Sequence, residues 1–410
     1  MAALYPFRAL RPRPSEAAAV AAVPYDVVST EEARALAAAN PYSFLRVSRA
    51  ELELPADADP YSDQVYDRAT SNYRHLTASA FELEAEPSVY FYRLREGLHE
   101  QTGLAACFSL DEYDHDVIKK HERTRRDKED DRTRHMLALG AQTGPVFLTY
   151  RASTDVNDIA RRVTQGPPLF DFTAVDGVQH TIWRVTGPEC NALVAAFSRI
   201  STLYIADGHH RAASAARARA EMRSSGATRP SLGDSADFTT VLAVAFPHDQ
   251  VQILAYNRVV RGLAGLTPTA FLAAVQQRFD VSPGSGEPRE RGTIAMFHGD
   301  AWHALTPKNQ PDPSDAIAAL DVSVLQDQLL APLLGVVDVR TDKRIEFVGG
   351  ARGIRELEQH VRSGRSDVAF SLFPVSVADL MAVSDANAIM PPKSTWFEPK
   401  LRDGLLVHVI

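Results

Sequence analysis

The sequence predicts a mixed α/β (α+β) protein with one large part and a second, smaller α/β part, and three observations predict it. Short apolar runs with the character of buried strands recur along the chain, as in SVYFYRL, HTIWRV, LYIA, TVLAVAFPH and VQILAYNRVV. Alanine-rich and charge-rich segments with helical character stand between them, RAASAARARAEMR being the clearest. Near residue 262 the texture changes to a closer alternation of helix, strand and proline-rich loop. A chain of 410 residues is long enough for two or three domains.

In chain order, Ser29 or Thr30 can cap a helix whose first turn carries Glu31 and Glu32, and Asn40-Pro41 stops it. SVYFYRL and HEQTGLAACFSL read as a hairpin turning around Glu96-Gly97. DEYDHDVIKKHERTRRDKEDDRTRHMLALG reads as one long polar helix closing between Gly140 and Gly144, with a strand from Pro145. HTIWRV at 180–185 is a strand and 187–200 a helix; LYIA at 203–206 is a strand that runs into a further helix. TRPSLGDSAD at 228–237 reads as a loop, and TVLAVAFPH and VQILAYNRVV as two more buried strands. LTPTAFLAAVQQRFDV, GTIAMFH and TPKNQPDPSD then supply the helix, strand and loop of the smaller part, and the tail ends in the strand-like LLVHVI. The expected division is a catalytic core over 1–261 plus 385–410 and a smaller α/β domain over 262–384.

Composition narrows the function. Lys and Arg number 44 against 52 Asp and Glu, a net charge of −8 that argues against a general nucleic-acid or membrane-surface role. Cys107 and Cys190 belong to no CxxC or Cys/His spacing, so neither a disulfide framework nor a zinc ribbon is implied, and a reducing cytoplasm is the expected compartment. The N-terminal stretch has no apolar core behind a basic start, and no run of about 18 apolar residues occurs. Neither a signal peptide nor a membrane span is expected.

The densest chemistry lies in Asp207-Gly208-His209-His210-Arg211, at a strand-to-helix turn. Asp207 can bind Mg²⁺ or take a proton from a hydroxyl, and Gly208 permits positive φ and close approach of a ligand. His209, His210 and Arg211 fall in the first helical turn, where donors add to the helix dipole and suit a phosphoryl group. Capping by Asp207, with packed or solvated histidines, is the plain structural alternative. On the predicted polar helix, His121, Thr124, Lys128, Asp131 and His135 follow spacings of three and four and share a face, with Arg125 and Arg132 at its margin. The bland reading there is a solvated helix laced with ion pairs, and His121-Glu122 lacks the second histidine of a zincin. In the tail, Lys393, Ser394 and Thr395 can meet phosphate, or the proline-rich run can simply pack. Asp26 and Arg46 are polar points among apolar residues and, with Thr124, the candidate substrate contacts. No GxxxxGK[ST] and no GxGxxG occurs, so a nucleotide site here is neither a P-loop nor a Rossmann turn.

Six segments in this order, VPYDVVS, NPYSFLRV, KKHERTRRDKEDDR, YIADGHHR, YNRVV and MPPKSTWFEPKL, resemble domain-of-unknown-function family 1015 across nearly the whole chain. Within them, DGHHR is similar to the Asp-Gly-x-His-Arg phosphate-binding turn of free serine kinases, which belong to the ParB/sulfiredoxin-like superfamily. That resemblance implies a ParB/sulfiredoxin-like nucleotide-binding core and phosphoryl transfer, with Mg²⁺, from ATP or ADP to the hydroxyl of free serine or a similar small molecule. It would put Asp207 near metal and phosphate, His210 and Arg211 on the transferring phosphoryl, and Gly208 and His209 as backbone donors. Glu122 is the candidate general base, with His121 as its rival; Lys128 and Arg132 are the further phosphate-binding candidates. The expected partners are a nucleotide and a hydroxy amino acid, with no nucleic acid, no membrane, and a homodimer as the candidate assembly. The family commonly follows the motif with Tyr-Glu-Thr, whereas this chain has Ala212, Ala213 and Ser214, a departure that bears on substrate choice. Two other classes stay open: a ParB-type nucleotide-binding switch or adaptor, weakened by the absence of a recognisable helix-turn-helix, and a metal-dependent hydrolase with Asp207, His209 and His210 as ligands.

Overall fold

The structure, a computed structural model, describes residues 2–226 and 237–410; of the loop expected over 228–237, only Asp237 lies within them. The chain forms two compact units, one running to Val251 and including Pro399–Ile410, the other Gln252–Glu398. Tyr256–Val260, grouped with the core by sequence, is therefore part of the smaller unit. Backbone ladders explain this: Tyr256–Val260 pairs with Ile345–Gly349 and Val368–Ser371, and Gln252–Leu254 pairs with Trp396–Glu398.

A nine-stranded mixed sheet organises the first unit. Its hairpin forms where the sequence places it, from Val89–Glu96 and His99–Ser109. Gln179–Val185 and then Phe170–Thr173 extend the hairpin on one side, both antiparallel. On the other side Thr240–Pro247 lies antiparallel to His99–Ser109 and parallel to Val146–Tyr150, which is antiparallel to Leu203–Asp207. Every residue of Thr240–Pro247 is buried, as in a strand covered on both faces. Alternate residues Leu203, Ile205, Val241, Ala243 and Ala245 share one core with Ala212, Ala215, Leu193, Phe197 and Ile159, so the helices Thr154–Val163, Gly187–Phe197 and His209–Ser224 cover one face of the sheet. A second core joins Phe44, Leu45, Val47 and Tyr73 to Leu139, Ala141 and Val407. The helix Thr30–Ala37 beside it starts at Ser29, which forms a capping box with Glu32.

The long polar helix is corrected. A short helix Leu110–Asp114 is followed by the strand Ile118–Lys119, and the second helix begins only at Arg126, running to Leu139 before Gly140 ends it in the left-handed region at φ 63°. Ile118 is 1% exposed and pairs in parallel with Leu203. The sheet edge and its core thus claim the middle of a segment whose local propensity is helical.

In the second unit six strands form one antiparallel sheet, in the order Phe279–Pro283, Ala301–Pro307, Ile294–His298, Val368–Ser371, Tyr256–Val260 and Ile345–Gly349. The helix Gly353–Arg362 lays Leu357 against Val259, Phe297, Val348 and Ala369. Among the described residues no helix is long and apolar enough to cross a membrane.

Candidate functional site

Leu203–Asp207 pairs regularly with Val146–Tyr150 as far as Ile205, opposite Leu148; Asp207 then stands opposite Phe147, leaving Ala206 as an extra residue. Such a bulge re-aims the end of a strand. Gly208 completes the turn at φ 92° and ψ 29°. A Cβ there would add left-handed strain and lie 3.2 Å from Arg211 Nε and 3.4 Å from Val146 Cα, so conformation and space both call for glycine. The helix His209–Ser224 starts at once, with His209, His210 and Arg211 in its first turn. Buried Ala212, Ala213, Ser214 and Ala215 let it pack closely, and Ser214 Oγ donates to the Glu129 carbonyl at 3.2 Å, fixing it against Arg126–Leu139.

Asp207 accepts from the Gly208 amide at 2.7 Å and from Lys400 Nζ at 2.9 Å. Burial favours its protonated form, but the charges of Lys400 and Arg211 outweigh that and hold the carboxyl well below the usual carboxylate range. Arg211 donates Nη1 to the Pro145 carbonyl at 2.5 Å, while its buried Nε has no hydrogen-bond partner among the described residues. Burial works against the guanidinium charge, and Asp26, Asp207 and Asp403 more than restore it. Asp403 is 3% exposed with Oδ1 equally without a partner among the described residues. Burial pushes its carboxyl up to about 7, against the restraining charge of Arg211. Arg211 and Asp403 line one cavity of about 40 Å³ together with Tyr25, Arg132, His135 and Gln142. That is room for roughly three waters. A larger recess of about 280 Å³, beside Arg151, Arg199 and Tyr204, holds none of the residues singled out from sequence.

On the other side of the turn, the rings of His121 and His209 meet edge to face with centroids 4.4 Å apart, and the His121 amide donates to His209 Nε2 at 3.4 Å. Burial pushes His121 down to about 4 and drives His209 well below the ordinary histidine range, so both imidazoles are neutral at pH 7. Ligand atoms of His121, Glu122 and His209 all lie within 4.8 Å of one another.

The structure rearranges the rest of the expected set. The shared helical face does not form, because His121 and Thr124 precede the helix. Thr124 donates to Glu129, Asp131 accepts from Tyr66 OH at 2.9 Å, and His135 Nε2 bonds the Val47 carbonyl at 2.9 Å. Lys128 Nζ reaches Tyr61 OH at 3.1 Å. Arg132 does join the site: it bonds Asp131 at 2.8 Å and lies over the Tyr25 ring at 4.2 Å. Arg46 has its donors engaged by Glu53, the Asn40 carbonyl and the Ala37 carbonyl, which makes it a brace within the N-terminal core. Asp26 is exposed, and its charge acts on Arg211 and Asp403. His210 Nε2 accepts from the Arg125 amide at 3.0 Å. Asp207, His209 and His210 are thus not drawn into one ligand set; His121, Glu122 and His209 are. Lys393, Ser394 and Thr395 belong to the second unit, where Arg258 of YNRVV donates to the Lys393 carbonyl at 3.0 Å and Ser394 Oγ donates to the Pro391 carbonyl at 2.5 Å.

Sequence reasoning missed Lys400 and Asp403. Both lie in or just after MPPKSTWFEPKL, whose other lysine, Lys393, drew attention through its Ser-Thr neighbours. Only the tertiary pairing with Asp207 and Arg211 distinguishes them.

The family model described as "Protein of unknown function (DUF1015)" matches residues 4–323. No curated protein matches the chain. Among solved structures, a free serine kinase in complex with AMP aligns at 12% identity and TM-score 0.36, covering 73% of this chain and 91% of that one. A conserved hypothetical protein from Pyrococcus furiosus aligns at 14% and 0.36, covering 74% and 95%. SbnI from Staphylococcus aureus, with a C-terminal truncation, aligns at 12% and 0.38, covering 72% and 84%. At these TM-scores the likeness carries no argument about the chemistry of this chain.

Proposed function

This chain belongs to the DUF1015 family, and we propose that it is a nucleotide-dependent phosphotransferase acting on the hydroxyl of free serine or a serine-like metabolite. The observation that carries the reading is that Arg211 and Asp403 border one small cavity beside the glycine turn and that each keeps one buried side-chain atom, the donor Nε and the acceptor Oδ1, without a hydrogen-bond partner among the described residues. Buried polar atoms are normally satisfied, so a cavity bordered by a cationic and an acidic residue that each keep an unmet atom suits a ligand that brings both charges. A small amino acid does so, its carboxylate toward Arg211 and its ammonium toward Asp403. The cavity has room for that head group and not for a nucleotide.

The start of His209–Ser224, with the positive end of its dipole and the Arg211 charge, is the proposed seat of the transferring phosphate. Its resemblance to the phosphate-binding turn of free serine kinases supports the same assignment. The acceptor oxygen attacks the terminal phosphorus, the bond from phosphorus to the bridging oxygen breaks, and the hydroxyl proton passes to Glu122, the proposed base. Mg²⁺ holds phosphates through few carboxylates and keeps several waters. Asp207, with its oxygens engaged by Gly208 and Lys400, fits a hydrated ion carried by the nucleotide better than a bare ion coordinated by the protein. Phosphoryl transfer chiefly needs positioning and charge neutralisation, which Lys400, Arg211 and Arg132 can supply.

The test is product formation by folded protein with ATP or ADP, Mg²⁺ and a panel of hydroxy amino acids; no phosphorylated product from any pair overturns the proposal. Asp207→Asn and His210→Ala are expected to abolish turnover. An amino acid that occupies the cavity at 100 times its Kd should stabilise the protein by roughly 2.7 kcal/mol in a thermal-shift screen.

A further inference from the structure

We propose that His121, Glu122 and His209 form a binding site for a transition-metal ion of the Zn²⁺ or Co²⁺ kind. The two histidines are 88 residues apart in sequence and are brought together by the two halves of the site. His121 and Glu122 lie in the irregular stretch between Ile118–Lys119 and Arg126–Leu139, and His209 opens the helix after Gly208. Their ligand atoms already lie within 4.8 Å of one another. Ligands bound at about 2.0–2.1 Å in a tetrahedral site stand roughly 3.4 Å apart, so modest side-chain rotations close the set.

A second observation points to a ligand independently. His121 is 2% exposed, and the one polar group facing its ring is the Ile205 backbone, too poorly aligned for a well-formed hydrogen bond at either nitrogen among the described residues. A buried imidazole so poorly met is costly, and a metal bond at one nitrogen lowers that cost. His209 Nε2 receives only the long 3.4 Å contact from the His121 amide, which a metal bond readily replaces. Asp207, whose charge acts on both rings, adds negative potential beside the site. Two nitrogens and one carboxylate match the borderline-soft ions and not Mg²⁺, which takes oxygen ligands. Three protein ligands also leave a fourth position open. This ion is therefore distinct from one carried by a nucleotide. Because it binds the carboxylate assigned above as base, filling the site should inhibit phosphoryl transfer. The site itself stands whether or not that transfer occurs.

The experiment is a Co²⁺ titration of the full-length protein after chelator treatment, followed by visible absorption. One equivalent is expected to give the intense bands of four-coordinate Co²⁺, which Zn²⁺ then abolishes. His121→Gln and His209→Gln should each weaken binding more than about 100-fold, beyond the loss typical of outer-shell changes. His121→Cys should retain binding and add a thiolate charge-transfer band, a gain of signal that misfolding cannot produce. Absence of stoichiometric Co²⁺ binding in the unmodified protein overturns the proposal. Binding that survives His121→Gln but is lost in His210→Gln or Asp207→Asn overturns it in favour of a different ligand set.

Discussion

Replacing Asp403 by Asn isolates a buried carboxyl whose energetics can be worked from its surroundings. Its carboxyl stands at about 7 in the folded protein, raised chiefly by burial and restrained by Arg211. In the unfolded chain an aspartate titrates near 3.9. A carboxyl raised on folding binds more protons in the native state than in the unfolded state between these values. Stability is therefore lost as pH rises from about 4 to about 7, and the full cost is present above that range. Three units at about 1.36 kcal/mol each amount to about 4 kcal/mol. Asn is neutral throughout, keeps the shape, and escapes that cost. Asp403→Asn should accordingly differ little from the parent near pH 4 and be more stable near pH 8, by up to about 4 kcal/mol or on the order of 10 °C in Tm. The assay is thermal and denaturant unfolding of both proteins across pH 4–8, where the difference between the curves removes every other titrating group. A difference that does not change with pH would refute the assignment of a buried, proton-holding carboxyl. The same variant should lose the stabilisation given by an amino-acid ligand, since the amide offers no charge to an ammonium group.

Three further substitutions probe the same site. Gly208→Ala puts a side chain at φ 92° against Arg211 and Val146; a loss of about 1–2 kcal/mol is expected in denaturant unfolding, and unchanged stability would contradict the turn geometry. Gly144→Ala drives a Cβ into Asp403 Oδ1, so the carboxylate must shift; the expectation is a cost of about 1–3 kcal/mol and no thermal shift from any hydroxy amino acid that stabilises the parent. Lys400→Met removes the partner of a carboxylate held low on folding. Asp207 contributes stability above about pH 4 that is lost as pH falls, so the variant should be weaker by about 1–3 kcal/mol at neutral pH, with the gap narrowing in acid. Equal stability of the two proteins at pH 7 would show that the Asp207–Lys400 pair is not formed.

The parts of this site legible in sequence are those whose chemistry is local. Gly208 announces itself because a left-handed turn between a short apolar strand and an alanine-rich helix has few other solutions, and Asp207 to Arg211 are placed by that turn within one helical step. Ser29 with Glu32 is legible for the same reason, a cap being complete within four residues. The stretch around His121 fails because its helical periodicity is real but outcompeted. Ile118 gains a strand partner in Leu203 and a place in the core, and that long-range pairing decides where His121 and Glu122 go. Lys400 and Asp403 are hidden for a related reason. Each is an ordinary polar residue in the tail until the chain returns it to Asp207, 193 residues earlier, or to a cavity shared with Arg211. Charge neutralisation at a buried site is a property of the folded arrangement, so residues that supply it leave no periodic trace. The same logic separates Arg46 from Arg132: both are arginines in charged surroundings, yet the first has its donors engaged by Glu53 and two backbone carbonyls, and the second borders the cavity. What distinguishes a brace from a binding group here is whether the side chain borders the cavity. On that criterion Arg211, Asp403 and Arg132, rather than the exposed charges elsewhere in KKHERTRRDKEDDR, are where the chemistry of this chain is to be sought.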